Sequence, residues 1–390
     1  MTGAVDLPKQ DFLRGQNRTL IFVTHRFENS ADSEPISNGE PIMNISYLSE
    51  CNFEPMTIEK LRHHLFYTKK VPFWNYDESK ISIGVEVEYF IAQVTRSGFR
   101  LATQIEFLLM TELLKANYGY VDWNLPDQPG RISKDTEFGF IAIKPDFAWH
   151  ILEISLPPRR SSSEIRSLLR NVFLEVDEAL ASLGMERLDL SCLPVPPKSM
   201  EHVSLNRLRE ISTTFRQKSA VKPTQDPNFP AYLAATHVHL NASSEEMLKV
   251  LPALYNLDRL VSKQFTRANV FNGRVYDNAR TRMYHDTLGP DYLLHTYPEN
   301  PAHDLQTMVS QMNRSPRLFP SDPFFPVRDM SYIRPTRYGT LEFRSCCSFK
   351  SIETLVKIVD CRIAQLLSAT GVDRNRIYKI LSDENQGRPA

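Results

Sequence analysis

The stretch ISIGVEVEYF, Ile81–Phe90, has the β-branched and aromatic content of a strand, yet it places two carboxylates, Glu86 and Glu88, where alternation calls for apolar or solvent-facing residues. Strand side chains alternate between faces, so residues two apart point the same way. Glu86 and Glu88 therefore share a face. The same reading puts His237 and His239 of THVHL on one face, and Glu342 and Arg344 of LEFRS on another. In DFAWHILEIS, Asp146 and Glu153 stand at either end of one predicted strand. Four predicted strands thus each bring ionisable groups to a face flanked by apolar neighbours.

Taken singly, each of these patterns is weak. A lone Glu-x-Glu strand is more often the wet side of an antiparallel sheet, and a lone His-x-His is seldom a metal site. Together they are harder to explain as surface. Carboxylates gathered in one sheet repel each other and lose hydration, which costs several kcal/mol per unpaired ion. Divalent cations remove that cost, and an oxygen-rich set with imidazole suits Mg²⁺ or Mn²⁺ better than zinc. Arg344, beside Glu342, is well placed to bind phosphate oxygens and to stabilise charge in phosphoryl transfer. The tract RANVFNGRVYDNARTRMYHD adds Arg267, Arg274, Arg280 and Arg282, interleaved with Tyr276 and Tyr284. Arg282 ranks first among them; the other three read equally well as a solvated basic loop.

The chain has 390 residues, 42% hydrophobic and 24% charged, which suits one large globular α/β or α+β enzyme. Lys plus Arg and Asp plus Glu number 46 each, so no global basic field attracts nucleic acid or anionic lipid. Small polar substrates fit that balance. The N-terminus lacks an apolar signal core, and no stretch approaches the roughly 20 apolar residues of a membrane span, so a soluble, cytoplasmic protein is expected. Cys51, Cys192, Cys346, Cys347 and Cys361 show no CxxC spacing and read as reduced, packed thiols.

Residues 1–79 read as an accessory extension with one helical segment, MTIEKLRHHLFYTKK, in which the adjacent His63 and His64 diverge by about 100° and make no ligand pair. Residues 80–390 read as the catalytic domain. VTRSGFR predicts a hairpin turn at Ser97 and Gly98, and LATQIEFLLMTELLKAN a helix with an apolar stripe of Leu101, Ile105, Leu108, Leu109 and Leu113. FGFIAIKPDFAWHILEISLPP predicts two strands joined near Pro145, the second stopped by Pro157 and Pro158. SSSEIRSLLRNVFLEVDEALASLG predicts a serine-capped helix with Ile165, Leu168, Leu169, Val172, Val176 and Leu180 inward, ended by Gly184. A short strand at RLDLSCL, a helix at SLNRLREISTTFRQ, and helices divided or kinked at Pro252 follow. The strand of Glu342 and a helix at SIETLVKIVDCRIAQLL come after them. No phosphate-binding glycine loop and no regular βαβ repeat occur, which argues for an α+β fold with a largely antiparallel sheet.

At these strands the chain resembles the glutamate–cysteine ligase superfamily, the carboxylate–amine ligases that share the glutamine synthetase catalytic fold. The resemblance rests on GVEVEYF, DFAWHILEISLPP, THVHLNAS and YGTLEFRS, which occur in family order between residues 81 and 348. It implies a curved, largely antiparallel sheet forming a funnel-like active site, with helices outside and Mg²⁺ or Mn²⁺ ions set against the ATP phosphates. By position it implies Glu86, Glu88, Glu153, His237 and Glu342 as metal ligands. Arg344 and Arg282 would be the catalytic residues, contacting nucleotide together with His239. Asp146, Glu153 and Arg282 would touch the amino-acid substrate.

The implied reaction is ATP-dependent activation of a carboxylate, glutamate or a related amino acid, followed by attack of an amine. Small-molecule amino acid and amine substrates are the expected partners, with no nucleic acid and no membrane. Many relatives carry a third acidic residue where this chain has Val87, and the loops over 217–230 and 314–336 are long and individual. Two other readings stay open on the residues: a metal-dependent hydrolase built on the His-x-His strand, and a catalytically silent, nucleotide-binding relative with a regulatory role.

Overall fold

The acidic stretch lies in the middle strand of a sheet. The computed structural model of the chain describes residues 55–67, 82–123, 129–197, 201, 229–241, 245–267, 269–271, 273–276, 280, 283, 300–314, 331–336 and 340–371. In chain order its elements are α1 (Ile58–Arg62), β1 (Ile83–Thr95), β2 (Gly98–Leu101), α2 (Gln104–Tyr118), β3 (Val121–Asp122), β4 (Ile132–Thr136), β5 (Gly139–Pro145), β6 (Ile151–Arg159), α3 (Ser162–Ser182) and β7 (Glu186–Arg187). Then come β8 (Ala235–Leu240), α4 (Leu251–Gln264), β9 (Asn269–Phe271), β10 (Arg274–Tyr276), α5 (Leu305–Arg314), β11 (Ile333–Pro335), β12 (Leu341–Cys347) and α6 (Ile352–Ala369). Among the described residues, ten strands form one sheet of order β11-β12-β8-β1-β6-β5-β4-β3, with β2 and β7 also paired to β1, while β9 and β10 make a separate hairpin. All these pairs are antiparallel, as expected.

One face of β1 carries Val85, Val87, Tyr89 and Ile91, all buried in the main core with Ile165, Leu169, Val172 and Val176 of α3 and Leu355, Ile358 and Val359 of α6. Helices α3, α4 and α6 pack on strands of the sheet. The opposite face of β1 carries Glu86 and Glu88, then Phe90 and Ala92, which enter a second apolar cluster with Phe147, Ile151, Phe229, Tyr232 and Phe271. The acidic face is therefore bounded at one end by packed aromatic residues. Met56, Leu61 and Leu65, around α1, belong to the main core, and the Asn313 amide brackets the Met56 backbone at 2.9 and 3.0 Å.

Most element predictions hold, and the exceptions are physical. α3 is capped by the Ser161 hydroxyl, which accepts the Glu164 N–H, buries its expected stripe except the half-buried Leu168, adds Phe173 and Ala179, and is followed by Gly184 at φ 69°. α2 turns a different face inward. It buries Phe107, Met110, Thr111 and Leu114, while Ile105 and Leu109 are 70% and 47% exposed. This helix is apolar on most sides, so spacing alone did not single out the buried one.

β6 runs through Pro157 and Pro158 to Arg159, because a bulge against Ile83–Val85 removes the ladder bonds those prolines cannot donate. Pro252 sits in the first turn of α4, directly after a 3₁₀ segment, and so divides the two helical pieces. Of RLDLSCL only Arg187, the end of β7, is in a strand, with a bridge from Cys192 to Leu233. The predicted helix over SLNRLREISTTFRQ lies outside the described residues. Cys192, Cys346 and Cys347 are buried free thiols. No described helix is long and apolar enough to cross a membrane.

Candidate functional site

Cross-strand register assembles the site. Glu86 on β1 lies opposite His237 on β8 and Ser155 on β6, and Glu88 lies opposite Glu153. Gly84 lies opposite His239, which in turn faces Glu342 on β12, and Glu342 faces Arg334 on β11. On the other side Glu153 faces Lys144 on β5. Directly opposed residues point to the same face, so these side chains form one polar field across six strands. Gly84 permits the close approach of its neighbour: a Cβ there would stand 3.3 Å from the His239 Cβ.

Within the field two groups each bring three ligand atoms within 4.8 Å of one another, namely Glu86, His239 and Glu342, and Glu88, Asp146 and Glu153. His237 lies between the groups, with Nδ1 3.4 Å from Glu86 and 3.7 Å from Glu342, and Nε2 3.7 Å from Glu88. Arg344 Nε is 3.2 Å from Glu342 and Arg334 Nε is 2.5 Å from it. Lys144 Nζ is 2.7 Å from Glu153. Arg280 reaches His237 Nε2 at 3.4 Å.

The structure thus brings Glu86, Glu88, Glu153, His237, His239, Glu342, Arg344 and Asp146 together. Asp146 is not part of the Glu153 strand. It lies in the connection between β5 and β6, where its N–H donates to Ile151 O at 3.1 Å. Arg282 and Tyr284 lie outside the described residues. Arg267 is tied to Asp189 and stacks over Phe349, a packing role. Tyr332 is likewise a core residue. Arg280, read from the sequence as equally well a solvated loop residue, joins the site, whereas Lys144 and Arg334 are site residues that the sequence reading did not name. Lys144 alone had a legible signal, as the charged position in the otherwise apolar run FIAIKP.

The charges divide unevenly. Burial would raise the Glu86 carboxyl, but hydrogen bonds from His237 and His239 and the charges of His239 and Lys144 hold it well below the ordinary carboxylate range. Glu342 is also buried, yet Arg334 and Arg344 bring it down to about 2. Burial and the nearby Asp146 charge push Glu88 up to about 8, although Arg280 opposes them. Burial raises Glu153 to about 7, with Lys144 opposing and Glu86 and Asp146 adding. Burial brings His237 down to about 4, whereas His239 is raised against burial by Glu342 and Glu86.

The metal-free protein should accordingly lose stability as pH rises. Glu88 and Glu153 have folded values above the unfolded 4.5, so their contribution is complete below about 4.5 and is lost as pH passes through 7 to 8. Thermal melts in EDTA between pH 6 and 9 test this. The decline should be shallower in Glu88→Gln, and an equal or steeper decline in that variant contradicts it.

No protein-family model matches the chain, and no curated protein matches it. Solved structures are similar to it at a distance, three of them as follows. A bifunctional glutathione synthetase from Pasteurella multocida shares 11% identity over 79% of this chain and 42% of that one, with a TM-score of 0.42. The ligase PafA in its complex with the prokaryotic ubiquitin-like protein Pup shares 9% over 78% and 51%, with a TM-score of 0.34. Plasmodium falciparum glutamine synthetase shares 12% over 74% and 52%, with a TM-score of 0.33. The chain spans about half the length of these solved chains or less.

Proposed function

We propose that the chain is an ATP- and Mg²⁺-dependent carboxylate–amine ligase of the glutamate–cysteine ligase type, with residues 80–390 as its catalytic part in a funnel-like sheet. The observation that carries this reading is the polar field itself, in which Glu86, Glu88, Glu153, His237, His239 and Glu342 share one sheet face with Arg344 and Arg334. The donor sets fit a hard divalent cation. One group is all oxygen and the other is two carboxylates with an imidazole. The buried His239 Nε2 stands 3.7 Å from Glu86 Oε1, so an imidazole and a carboxylate face one position as two donors of the same set.

Glu86, His239 and Glu342 would hold one ion, and Glu88, Asp146 and Glu153 a second, with His237 available between them. When bound, Mg²⁺ neutralises the oxygens of the transferred phosphoryl group. Arg344 and Arg334, set beside Glu342, would bind the phosphate oxygens and stabilise the charge that builds on them. Arg282, if it reaches the field, would add a further phosphate or substrate contact.

In the reaction a substrate carboxylate oxygen attacks the γ-phosphorus of ATP, the bond to the bridging oxygen breaks, and ADP leaves with the electron pair. The amine nitrogen then attacks the acyl carbon, the carbon–oxygen bond to phosphate breaks, and the nitrogen loses a proton to solvent. No covalent enzyme nucleophile is required. An α-amino acid such as glutamate is the proposed carboxylate substrate. Purified protein given ATP, Mg²⁺ and a pool of amino acids and amines should release ADP and phosphate in step with an amide product seen by mass spectrometry. AMP and pyrophosphate would exclude the acyl phosphate, and turnover without nucleotide would favour a hydrolase. Arg344→Ala should lower turnover by about 100-fold while Mn²⁺ affinity changes little. A loss confined to metal affinity would remove Arg344 from phosphoryl transfer.

A further inference from the structure

β5 is an apolar strand with one exception on its site face. Ile141 and Ile143 enter the main core, while Lys144 pairs in register with Glu153 and turns toward the carboxylates. Its Nζ lies 2.7 Å from Glu153 Oε1, and the Ser155 hydroxyl donates to the same oxygen at 3.0 Å. The side chain is 23% exposed, so the ammonium is largely withdrawn from water. Glu153, Glu86 and Asp146 all act on it electrostatically. A compact, strongly hydrated ammonium has given up much of its water to sit among them.

We propose that Lys144 is a resident cation of the Glu88–Asp146–Glu153 group, holding Glu153 and offsetting the Asp146 charge without metal, and lowering the affinity of that group for a divalent ion. The inference rests on the metal reading given above. A fixed positive charge beside a cation position repels the incoming ion, and it also engages one of the two oxygens that Glu153 offers. The two roles that a lysine can have here differ in sign. A side chain that only orients Glu153 helps metal to bind, and its loss loosens binding. A side chain that competes with metal hinders it, and its loss tightens binding.

The test is Mn²⁺ titration of the full chain without nucleotide, followed by paramagnetic resonance of the free ion, for wild type, Lys144→Met and Lys144→Arg. Lys144→Met should bind at least tenfold more tightly or take up one more ion, should melt lower in EDTA, and should recover on adding Mn²⁺. Lys144→Arg should titrate like wild type. Unchanged or looser binding in Lys144→Met overturns the proposal alone. Absence of Mn²⁺ binding in both proteins overturns it together with the metal reading. Should Lys144→Met fail to fold, Lys144→Gln is measured in its place. Should both fail, refolding rescued by Mn²⁺ supports a stand-in cation and refolding indifferent to Mn²⁺ overturns it.

Discussion

Glu88→Gln should abolish Mg²⁺-dependent ATP binding while leaving the melting temperature of the metal-free protein unchanged or higher. Glu88 belongs to a group of three carboxylates, with Asp146 and Glu153, whose ligand atoms crowd within 4.8 Å. Burial and Asp146 already keep Glu88 mostly protonated at neutral pH, so a neutral amide costs the apo protein little, spares it repulsion at higher pH and removes a ligand. The amide oxygen can still accept the Ala235 N–H, which Glu88 takes at 2.8 Å. Glu342→Ala is a poorer test. Glu342 pairs with Arg334 and Arg344, so its removal leaves a cation without its buried partner and lowers stability as well as binding. Equilibrium dialysis with labelled ATP, with and without Mg²⁺, reads the first effect and calorimetry the second. Retained binding in Glu88→Gln would remove this group from the metal site.

Asp258→Ala should cost about 3–5 kcal/mol of folding stability, the loss expected when one member of a buried ion pair is deleted. Asp258 on α4 and Arg362 on α6 are almost fully buried and pair through Asp258 Oδ1 and Arg362 Nη1. Arg362 also donates to Gln365 Oε1 and Ser345 Oγ at 2.7 Å each, and lies over the Phe343 ring. The Ser345 hydroxyl donates to Asp258 at 2.9 Å. Ser345 is a β12 residue, so this network fixes from the core side the strand that presents Glu342 and Arg344 on the other. Urea denaturation should show the midpoint falling without a change in slope. A loss below about 1 kcal/mol would mean that the network is not a structural clamp.

How much of this was legible in the sequence depends on which interactions are local. Glu86 with Glu88, His237 with His239, and Glu342 with Arg344 could be paired from the chain, because a two-residue period needs no knowledge of neighbours. Which strands lie side by side was not legible. The register that sets Glu88 against Glu153 and Glu342 against Arg334 is made by residues far apart in sequence, and no local spacing encodes it. Lys144 and Arg334 were missed for that reason, since each matters only through the carboxylate opposite it. Asp146 was placed on a strand because the residues between it and Glu153 are apolar apart from His150, whereas the turn at Ala148, where Ile151 N–H donates to Ala148 O at 2.9 Å, delays the strand to Ile151. The buried face of α2 was misjudged for a related cause. Leu and Ile stand on all sides of that helix, and packing selected Phe107, Met110 and Leu114.

The central claim is that this polar sheet face binds nucleotide through divalent cations. Thermal shift of the full chain measures it most directly, because a ligand that binds only the folded state raises its stability by about 2.7 kcal/mol at 100 times its Kd. ATP with Mg²⁺ should raise the melting temperature, ATP with EDTA should not, and Zn²⁺ alone should not substitute. Stabilisation by Zn²⁺ alone, with no response to ATP and Mg²⁺ together, would contradict the account.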